Sequence, residues 1–255
     1  MHCGFSSTGA PFDVTAALCG LGAAVIGVQE AWQPASDGPV VAGQRQPADH
    51  LTAAATALGA TLYRAPLCSR QSVASLGVTT VSGPGELSIA VLTTLPVTDY
   101  EVVELGLAPG DQVPRLAQIV WLELPAGPHL RLVNTHLTHK LTSPLQLRRL
   151  DQRLRPASAS RRRPVPTIII GDLNMPRMVA ARWAGYRDLI RGRTWPAGRP
   201  LLQLDHMLAS RGIDRLGGAV LPPAGSDHLP VRARVRVPGQ IRVAAARREM
   251  NQRAV

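Results

Sequence analysis

Several segments of this chain share one arrangement, in which an apolar run typical of a β-strand delivers acidic, amide or imidazole groups where it ends. The segments are Val25–Glu30, Leu132–Leu137, Ile168–Asn174 and Gly225–Pro230, and a fifth, Leu204–Leu208, places an acid within an apolar strand. Strand residues two apart face the same side, so Asn134 and His136 share a face, as do Asp172 and Asn174 if the strand continues. Taken together and in this order, the segments indicate a functional site.

Each segment also has a purely structural interpretation. Gly171–Asn174 alone is typical of a turn, because Asp and Asn side chains bond to their own backbone. A lone histidine at a strand end is more often structural than catalytic. Ser226, Asp227 and His228 carry the residue types of a hydrolase triad, but consecutive residues point to opposite faces and cannot form its relay.

Strands alternate with a few helices along the chain, which predicts a layered α/β sandwich. The sequence predicts helices over 11–21, 47–58 and 145–154, and strands over 23–28, 61–65, 87–95, 116–124, 129–135, 167–170, 202–209 and 231–237. Pro125–Pro128 has the composition of a hairpin turn. No linker divides the chain, so we predict one domain over 1–237 followed by a basic tail over 238–255.

Composition excludes several classes of protein. Of 255 residues, 45% are hydrophobic, which is enough for a core, and no apolar run reaches the roughly 18 residues that span a bilayer. The three cysteines are too scattered for a disulfide framework or a zinc site and favour a reducing compartment. Residues 1–4 do not begin a signal peptide, so we expect a cytoplasmic protein without a membrane span.

The chain is strongly basic, with a formal net charge of +11. This charge favours a phosphate-rich partner such as nucleic acid, or else reflects codon composition. Seven arginines and one aspartate lie between Arg148 and Arg163, yet the strand after them places Arg161–Arg163 about 15 Å or more from Asp172. A solvated surface is therefore favoured over a substrate clamp, and the 4% aromatic content offers no evident base-stacking platform.

The ordered motifs resemble those of the endonuclease/exonuclease/phosphatase superfamily. The matching residues are Gln29-Glu30, Asn134–Leu137, Gly171–Asn174, Leu204–Leu208 and Ser226–Val231. The resemblance implies a four-layer sandwich, in which two mixed β-sheets pack face to face between helices with the active site at one edge. It also implies cleavage of a phosphoester with Mg²⁺ or Mn²⁺.

The resemblance assigns the metal and the water to four residues. Glu30 is expected to bind the metal, and Asp227 to be a second carboxylate near it. Asp172 is expected to position or deprotonate the attacking water, and Asn174 to orient that water and the phosphate. A hard cation held by carboxylates would neutralise the charge that repels a nucleophile from a phosphodiester.

The remaining roles belong to two imidazoles and their carboxylates. By the same resemblance, His228 stabilises the charged transition state while Asp205 fixes its orientation. His136 is expected to be the acid that protonates the leaving oxygen. Glu86, just before an apolar strand, is expected to hold His136.

The chain departs from the family pattern at its start. The family normally opens with a strand ending in an asparagine that helps to hold the metal, and here Met1–Gly4 matches the residues just after it. Either the start codon is misassigned, which we favour, or the strand is lost, leaving an unpaired edge inside a sheet. Gln29–Trp32 and Leu202–Asp205 also differ from the motifs of abasic-site endonucleases, and the basic motif of inositol phosphatases is not seen.

We therefore expect a metal-dependent phosphodiesterase that acts as a nuclease on a phosphate-containing substrate. The first alternative is a phosphatase, or a phosphodiesterase of lipids or small molecules. The second is a degenerate, non-catalytic domain that binds nucleic acid or protein. The motifs do not indicate an oligomeric state.

Overall fold

The computed structural model describes residues 2–35, 49–72, 82–109, 111, 113–125, 127–139, 141–155, 165–182 and 185–237. Its helices are α1 (Val14–Cys19), α2 (His50–Leu58), α3 (Ser143–Leu154) and α4 (Arg177–Ala181). Its strands are β1 (Val25–Pro34), β2 (Thr61–Ser72), β3 (Ser82–Thr93), β4 (Val97–Gly106), β5 (Arg115–Glu123), β6 (His129–His136), β7 (Thr167–Asp172), β8 (Tyr186–Asp188), β9 (Asp205–Ser210), β10 (Asp214–Val220) and β11 (Val231–Arg236). The basic tail and Arg161–Arg163 lie outside the described residues.

A mixed six-stranded sheet forms the centre of the fold, in the order β4-β5-β6-β7-β9-β8. Strands β6 and β7 are parallel, and the other neighbours in this sheet are antiparallel. Helix α3 lies between β6 and β7 in the sequence, as a parallel pair requires a crossover connection. Ile168, Ile169 and Ile170 of β7 are buried, as expected of a central strand that is covered on both faces.

A second layer of strands packs on the six-stranded sheet. It contains an antiparallel sheet in the order β1-β3-β2 and the antiparallel pair β10-β11. Val91 of β3 and Ile170 of β7 belong to the core cluster between the layers. Helices α1 and α2 cover the outer face of the three-stranded sheet, and α3 covers the outer face of the six-stranded sheet. The predicted four-layer α/β sandwich is thus confirmed.

The second layer is divided into two antiparallel parts. Strand β1 is an edge strand, and β11 pairs only with β10 among the described residues. A groove separates the two edges, and apolar side chains such as Ile26, Leu229 and Ala233 line it.

Most predicted elements are present, and four short or exposed elements of the structure were not predicted. Strand β4 carries three acidic residues and β10 carries two consecutive glycines, so neither shows the apolar alternation of a half-buried strand. Strand β8 has three residues and α4 has five. Among the described residues, no helix is long and apolar enough to cross a membrane.

Candidate active site

Three neighbouring strands of the central sheet present a row of site residues. His136 pairs with Asp172 across β6 and β7, and Asp172 pairs with Asp205 across β7 and β9. Residues directly opposite each other in a sheet project from the same face. The row is therefore set by backbone pairing, and it brings His136 Nε2 to 3.6 Å from Asp172 Oδ2.

His228 completes this row from the loop before β11. Its Nδ1 lies 2.8 Å from Asp205 Oδ2, and its Nε2 lies 3.9 Å from Asp172 Oδ2 and 4.0 Å from Asp227 Oδ2. Burial lowers the pKa of His228, but the hydrogen bond and charge of Asp205, with the charges of Asp172 and Asp227, raise it to about 9. The ring is therefore a cation at neutral pH, oriented by Asp205 and open at Nε2.

Asp172 and Asn174 form a turn that is also part of the site. The backbone N–H of Asn174 donates to Asp172 Oδ1 at 2.8 Å, as in the structural interpretation of this motif. Asn174 has a φ of 50°, a left-handed conformation that returns its side chain to the row. Burial and the charge of Asp205 raise the pKa of Asp172 to about 7, although His228 lowers it. A carboxyl group that titrates near neutral pH suits a general base.

Glu30 lies opposite this row at a β-bulge of β1. The register with β3 shifts between Val28 and Ala31, and Glu30 has a φ of 54°. A left-handed conformation at a non-glycine residue is strained and is often found at functional sites. The side chain of Glu30 is 36% exposed, and its Oε1 lies 4.0 Å from His136 Nδ1.

The surroundings of His136 include the side chain of Asn174. Asn174 Nδ2 donates to the carbonyl of Leu137 at 3.0 Å, which fixes the amide orientation, and the same nitrogen lies 3.2 Å from His136 Nε2. His136 Nε2 must therefore accept, so the ring's proton is on Nδ1. Burial lowers the pKa of His136 to about 4 despite the charge of Glu30. In this structure Asn174 thus contacts Nε2 of His136, and the role of His136 as the acid for the leaving oxygen stays a prediction.

Glu86 is a residue whose expected place differs from the structure. It lies in β3 opposite Gln33 of β1, beyond the bulge that carries Glu30. Among the ion pairs of the described residues, the carboxylate that faces His136 Nδ1 is Glu30. Sequence reasoning chose Glu86 because it precedes an apolar run, whereas the bulge brings Glu30 to that position.

Asp227 borders the site on the side of His228. Its Oδ1 accepts from Ser226 Oγ at 3.1 Å, and the nearest carboxylate to His228 Nδ1 is Asp205 rather than Asp227. The serine therefore bonds to the acid and not to the imidazole, as expected from the alternation argument against a triad. Burial, followed by the charges of Glu30 and Asp227, raises the pKa of Cys3 to about 12.

The carboxylates fit a divalent cation with few protein ligands. Among the described residues, no group of three or more His, Cys, Asp or Glu is arranged to hold a metal ion. Mg²⁺, however, is commonly bound by one or two carboxylates together with water and substrate phosphate. Glu30 and Asp227 are partly exposed carboxylates, and the negative charge of Glu30 contributes to the raised pKa of Asp172. A cation beside Glu30 would relieve this repulsion.

The bridging bonds of Asn134 and the position of Trp195 were not predicted from the sequence. Asn134 is fully buried and joins the layers: Gln29 Nε2 donates to its Oδ1 at 2.6 Å, and its Nδ2 donates to Ala90 O at 2.9 Å. Trp195 lies beside His228, with ring centroids 6.4 Å apart. A single tryptophan in a segment rich in Pro and Gly gives no sequence signal of this position.

Two arginines of α3 and Arg155, which follows it, have structural partners away from the site. Arg149 Nη1 donates to Leu105 O, Arg153 pairs with Glu101, and Arg155 pairs with Asp151. These contacts agree with the solvated-surface interpretation of this helix.

Comparisons with known proteins agree with this geometry. A sequence model described as the endonuclease/exonuclease/phosphatase family matches residues 11–228. A search of curated proteins found no match.

Three solved structures share the fold. An endonuclease/exonuclease/phosphatase from Beutenbergia cavernae is 20% identical with a TM-score of 0.67, covering 93% of this chain and 70% of that one. A mannosyl-6-phosphatase from Bacteroides thetaiotaomicron is 14% identical with a TM-score of 0.63, covering 88% and 89%. TDP2 from D. rerio, complexed with a single-strand DNA product, is 16% identical with a TM-score of 0.60, covering 88% and 92%.

Proposed function

Because the chain belongs to the endonuclease/exonuclease/phosphatase family, whose members hydrolyse phosphoester bonds, we propose that this phosphoesterase is a metal-dependent nuclease. It would cleave an internal phosphodiester by attack of water. The proposal goes beyond the family in three respects: the diester substrate, the nucleic acid and the Mg²⁺ or Mn²⁺ ion.

The observation that carries the proposal is the convergence of Asp172, Asp205 and His228. Asp205 holds Nδ1 of the imidazolium, so Nε2 is the N–H that faces the space bordered by Asp172 and Asp227. A fixed cationic donor at this position can bond to a phosphoryl oxygen and stabilise the charge that develops there. A domain that only binds has no need of a buried carboxyl group beside that donor.

Each residue then has one task in hydrolysis. Asp172 accepts the proton of the water that attacks phosphorus, and Asn174 keeps the Asp172 carboxylate in place through its backbone N–H. His228 donates from Nε2 to a phosphoryl oxygen. His136 supports the Asn174 side chain through Nε2.

Glu30 and Asp227 would hold the divalent cation. When bound, Mg²⁺ or Mn²⁺ would neutralise the charge of the phosphate and the charge that develops on the leaving oxygen. The bulge brings Glu30 to the side of His136, and its negative charge contributes to the raised pKa of Asp172, so a cation held by Glu30 would act next to the proposed general base.

The charge of the chain supports a nucleic acid over a small phosphoester as the substrate. The formal net charge of +11 attracts a polyanion. The similar structure of TDP2 with a single-strand DNA product shows that this fold accommodates a DNA strand. A phosphomonoester substrate remains an outcome of the test below.

The test compares Asp172→Asn with the unaltered protein on plasmid DNA, single-stranded DNA, bis(p-nitrophenyl) phosphate and p-nitrophenyl phosphate. Each assay is run with Mg²⁺, with Mn²⁺ and with EDTA. Asp214→Asn, which removes an exposed carboxylate of β10, is the matched control. We expect metal-dependent cleavage of the diesters, lowered roughly 10²–10⁴-fold by Asp172→Asn and unchanged by the control.

Two results would contradict the proposal. Equal diester turnover by Asp172→Asn and the control would remove Asp172 from the chemistry. Faster turnover of the monoester than of both DNA substrates would make the protein a phosphatase.

A further inference from the structure

A short hairpin stands beside the candidate active site. Trp195 and Leu202 form an antiparallel bridge, in which Trp195 N donates to Leu202 O at 3.0 Å and Leu202 N donates to Trp195 O at 2.9 Å. Thr194 N adds a bond of 2.7 Å to Leu202 O. We call residues 194–202 the Trp195 hairpin.

The Trp195 hairpin is bonded to the segments that carry the site residues. Ala197 N donates to Asp227 O at 2.7 Å, and Leu229 N donates to Thr194 O at 2.8 Å. Thr194 is fully buried, and its Oγ1 accepts from the N–H of Asp205 at 3.3 Å. The position of Trp195 relative to His228 is thus set by main-chain bonds on both sides.

The Trp195 ring is held at the site but remains open to solvent. Its centroid lies 6.4 Å from that of His228 with an interplanar angle of 50°. Trp195 is 36% exposed, and Leu201 and Leu202 on the same hairpin are 55% and 43% exposed. A residue placed there only for core packing would be buried, so this rigid apolar edge is suited to contact a ligand.

Two arginines lie close to Trp195 in the sequence. Arg193 and Arg199 are exposed on either side of Trp195 in the sequence. An exposed aromatic ring with arginines beside it, next to a phosphate site, is the combination that binds a single nucleic-acid strand: bases stack on the ring and the backbone contacts the cations.

We propose that Trp195 is the stacking platform for the nucleobase next to the scissile phosphate, with Arg193 and Arg199 contacting the adjoining phosphates. This proposal rests on the proposed function in that His228 marks where the scissile phosphate lies. It assigns the substrate as a strand with an unpaired base at the cleavage point, since a base within a duplex has no free face for stacking.

Two measurements test the platform. The first is fluorescence anisotropy of a short fluorescein-labelled oligothymidylate, in the Asp172→Asn background so that the probe is not consumed. The second compares KM and kcat for thymidine 5′-(p-nitrophenyl phosphate) and methyl p-nitrophenyl phosphate, which share a leaving group and differ in the base. Variants are Trp195→Ala, the conservative Trp195→Phe, and Leu201→Ala as an exposed control on the same hairpin.

We expect Trp195→Ala to weaken oligothymidylate binding roughly 10-fold or more, the scale of one lost base–aromatic stack. KM for the thymidine ester should rise by a similar factor with kcat little changed, while the methyl ester is unaffected. Trp195→Phe should retain most of the affinity for oligothymidylate. Leu201→Ala should bind oligothymidylate as tightly as the protein with an unaltered hairpin.

Three results would overturn the inference. The first is oligothymidylate binding that the protein with native Trp195 lacks, or that Trp195→Ala leaves unchanged. The second is an equal loss of turnover on both esters, which would make Trp195 a support for His228. The third is a loss of affinity in Trp195→Ala that is equally large in Trp195→Phe. The binding measurement is independent of turnover, so a protein that binds through Trp195 without hydrolysing any ester would contradict only the proposed function.

Discussion

Replacing Asp205 by asparagine should remove most of the pH dependence of stability that His228 confers. In the folded chain the pKa of His228 is raised from 6.5 to about 9, and the hydrogen bond that its ring donates to Asp205 is the first of the causes that raise it. Between these two pH values the folded state holds a proton that the unfolded state has released. The contribution is therefore complete below pH 6.5 and is lost as the pH rises through 9.

The expected size follows from the same two values. A difference of one pKa unit corresponds to about 1.4 kcal/mol, so this group alone should lower the free energy of unfolding by about 3 kcal/mol between pH 6.5 and pH 9. In Asp205→Asn, more than half of this decrease in the free energy of unfolding between pH 6.5 and pH 9 should disappear. The remainder should come from the weaker effects of Asp172 and Asp227 on the pKa of His228. The raised pKa of Asp172, about 7, acts mainly at lower pH.

The assay is urea unfolding at several pH values from 6.5 to 9 in EDTA, so that no metal ion competes for the carboxylates. Asp214→Asn is the control for the general effect of removing a negative charge. An NMR titration of the His228 ring should show its pKa falling in Asp205→Asn. If Asp205→Asn loses as much stability with rising pH as the control, Asp205 is not what holds the imidazolium.

Three further substitutions test other parts of the structure. Gly171→Ala should lower the free energy of unfolding by more than about 3 kcal/mol, because φ is 134° and a Cβ would lie 1.9 Å from Thr135 O; a near-native urea midpoint would contradict this. Asn134→Ala should cost about 2–4 kcal/mol in the same assay, since it removes the buried hydrogen bonds of this side chain with Gln29, Gln118 and Ala90 O. A loss below about 1 kcal/mol would count against its bridging role. Glu30→Gln should weaken Mn²⁺ binding in calorimetry roughly 10-fold or more with little change in Tm, and unchanged affinity would remove Glu30 from the metal site.

The sequence was most informative where strand periodicity and strand ends coincide. The apolar runs of β6, β7 and β9 could be read directly, and their pairing places His136, Asp172 and Asp205 in one row. The layered fold and the convergence of these side chains with His228 therefore followed from local patterns together with the family resemblance.

Positions that depend on irregular backbone could not be read in this way. The bulge at Glu30 turns its carboxylate towards His136, and no residue type marks a bulge, so Glu86 was preferred. The protonation of His136 depends on burial and on the Asn174 amide, which only the folded arrangement supplies. Trp195 reaches the site through hairpin bonds between residues that show no periodicity.

The divided second layer has a consequence for how the two halves of the site are aligned. Glu30 extends from β1, whereas Asp227 and His228 precede β11, and no ladder of main-chain hydrogen bonds connects these two strands among the described residues. The spacing between the carboxylates that would share one cation is thus set by how β1 and β11 each pack on the strands of the central sheet. Catalytic alignment in this protein would therefore depend on the packing of two separate units on one sheet, which lies outside the chemistry itself.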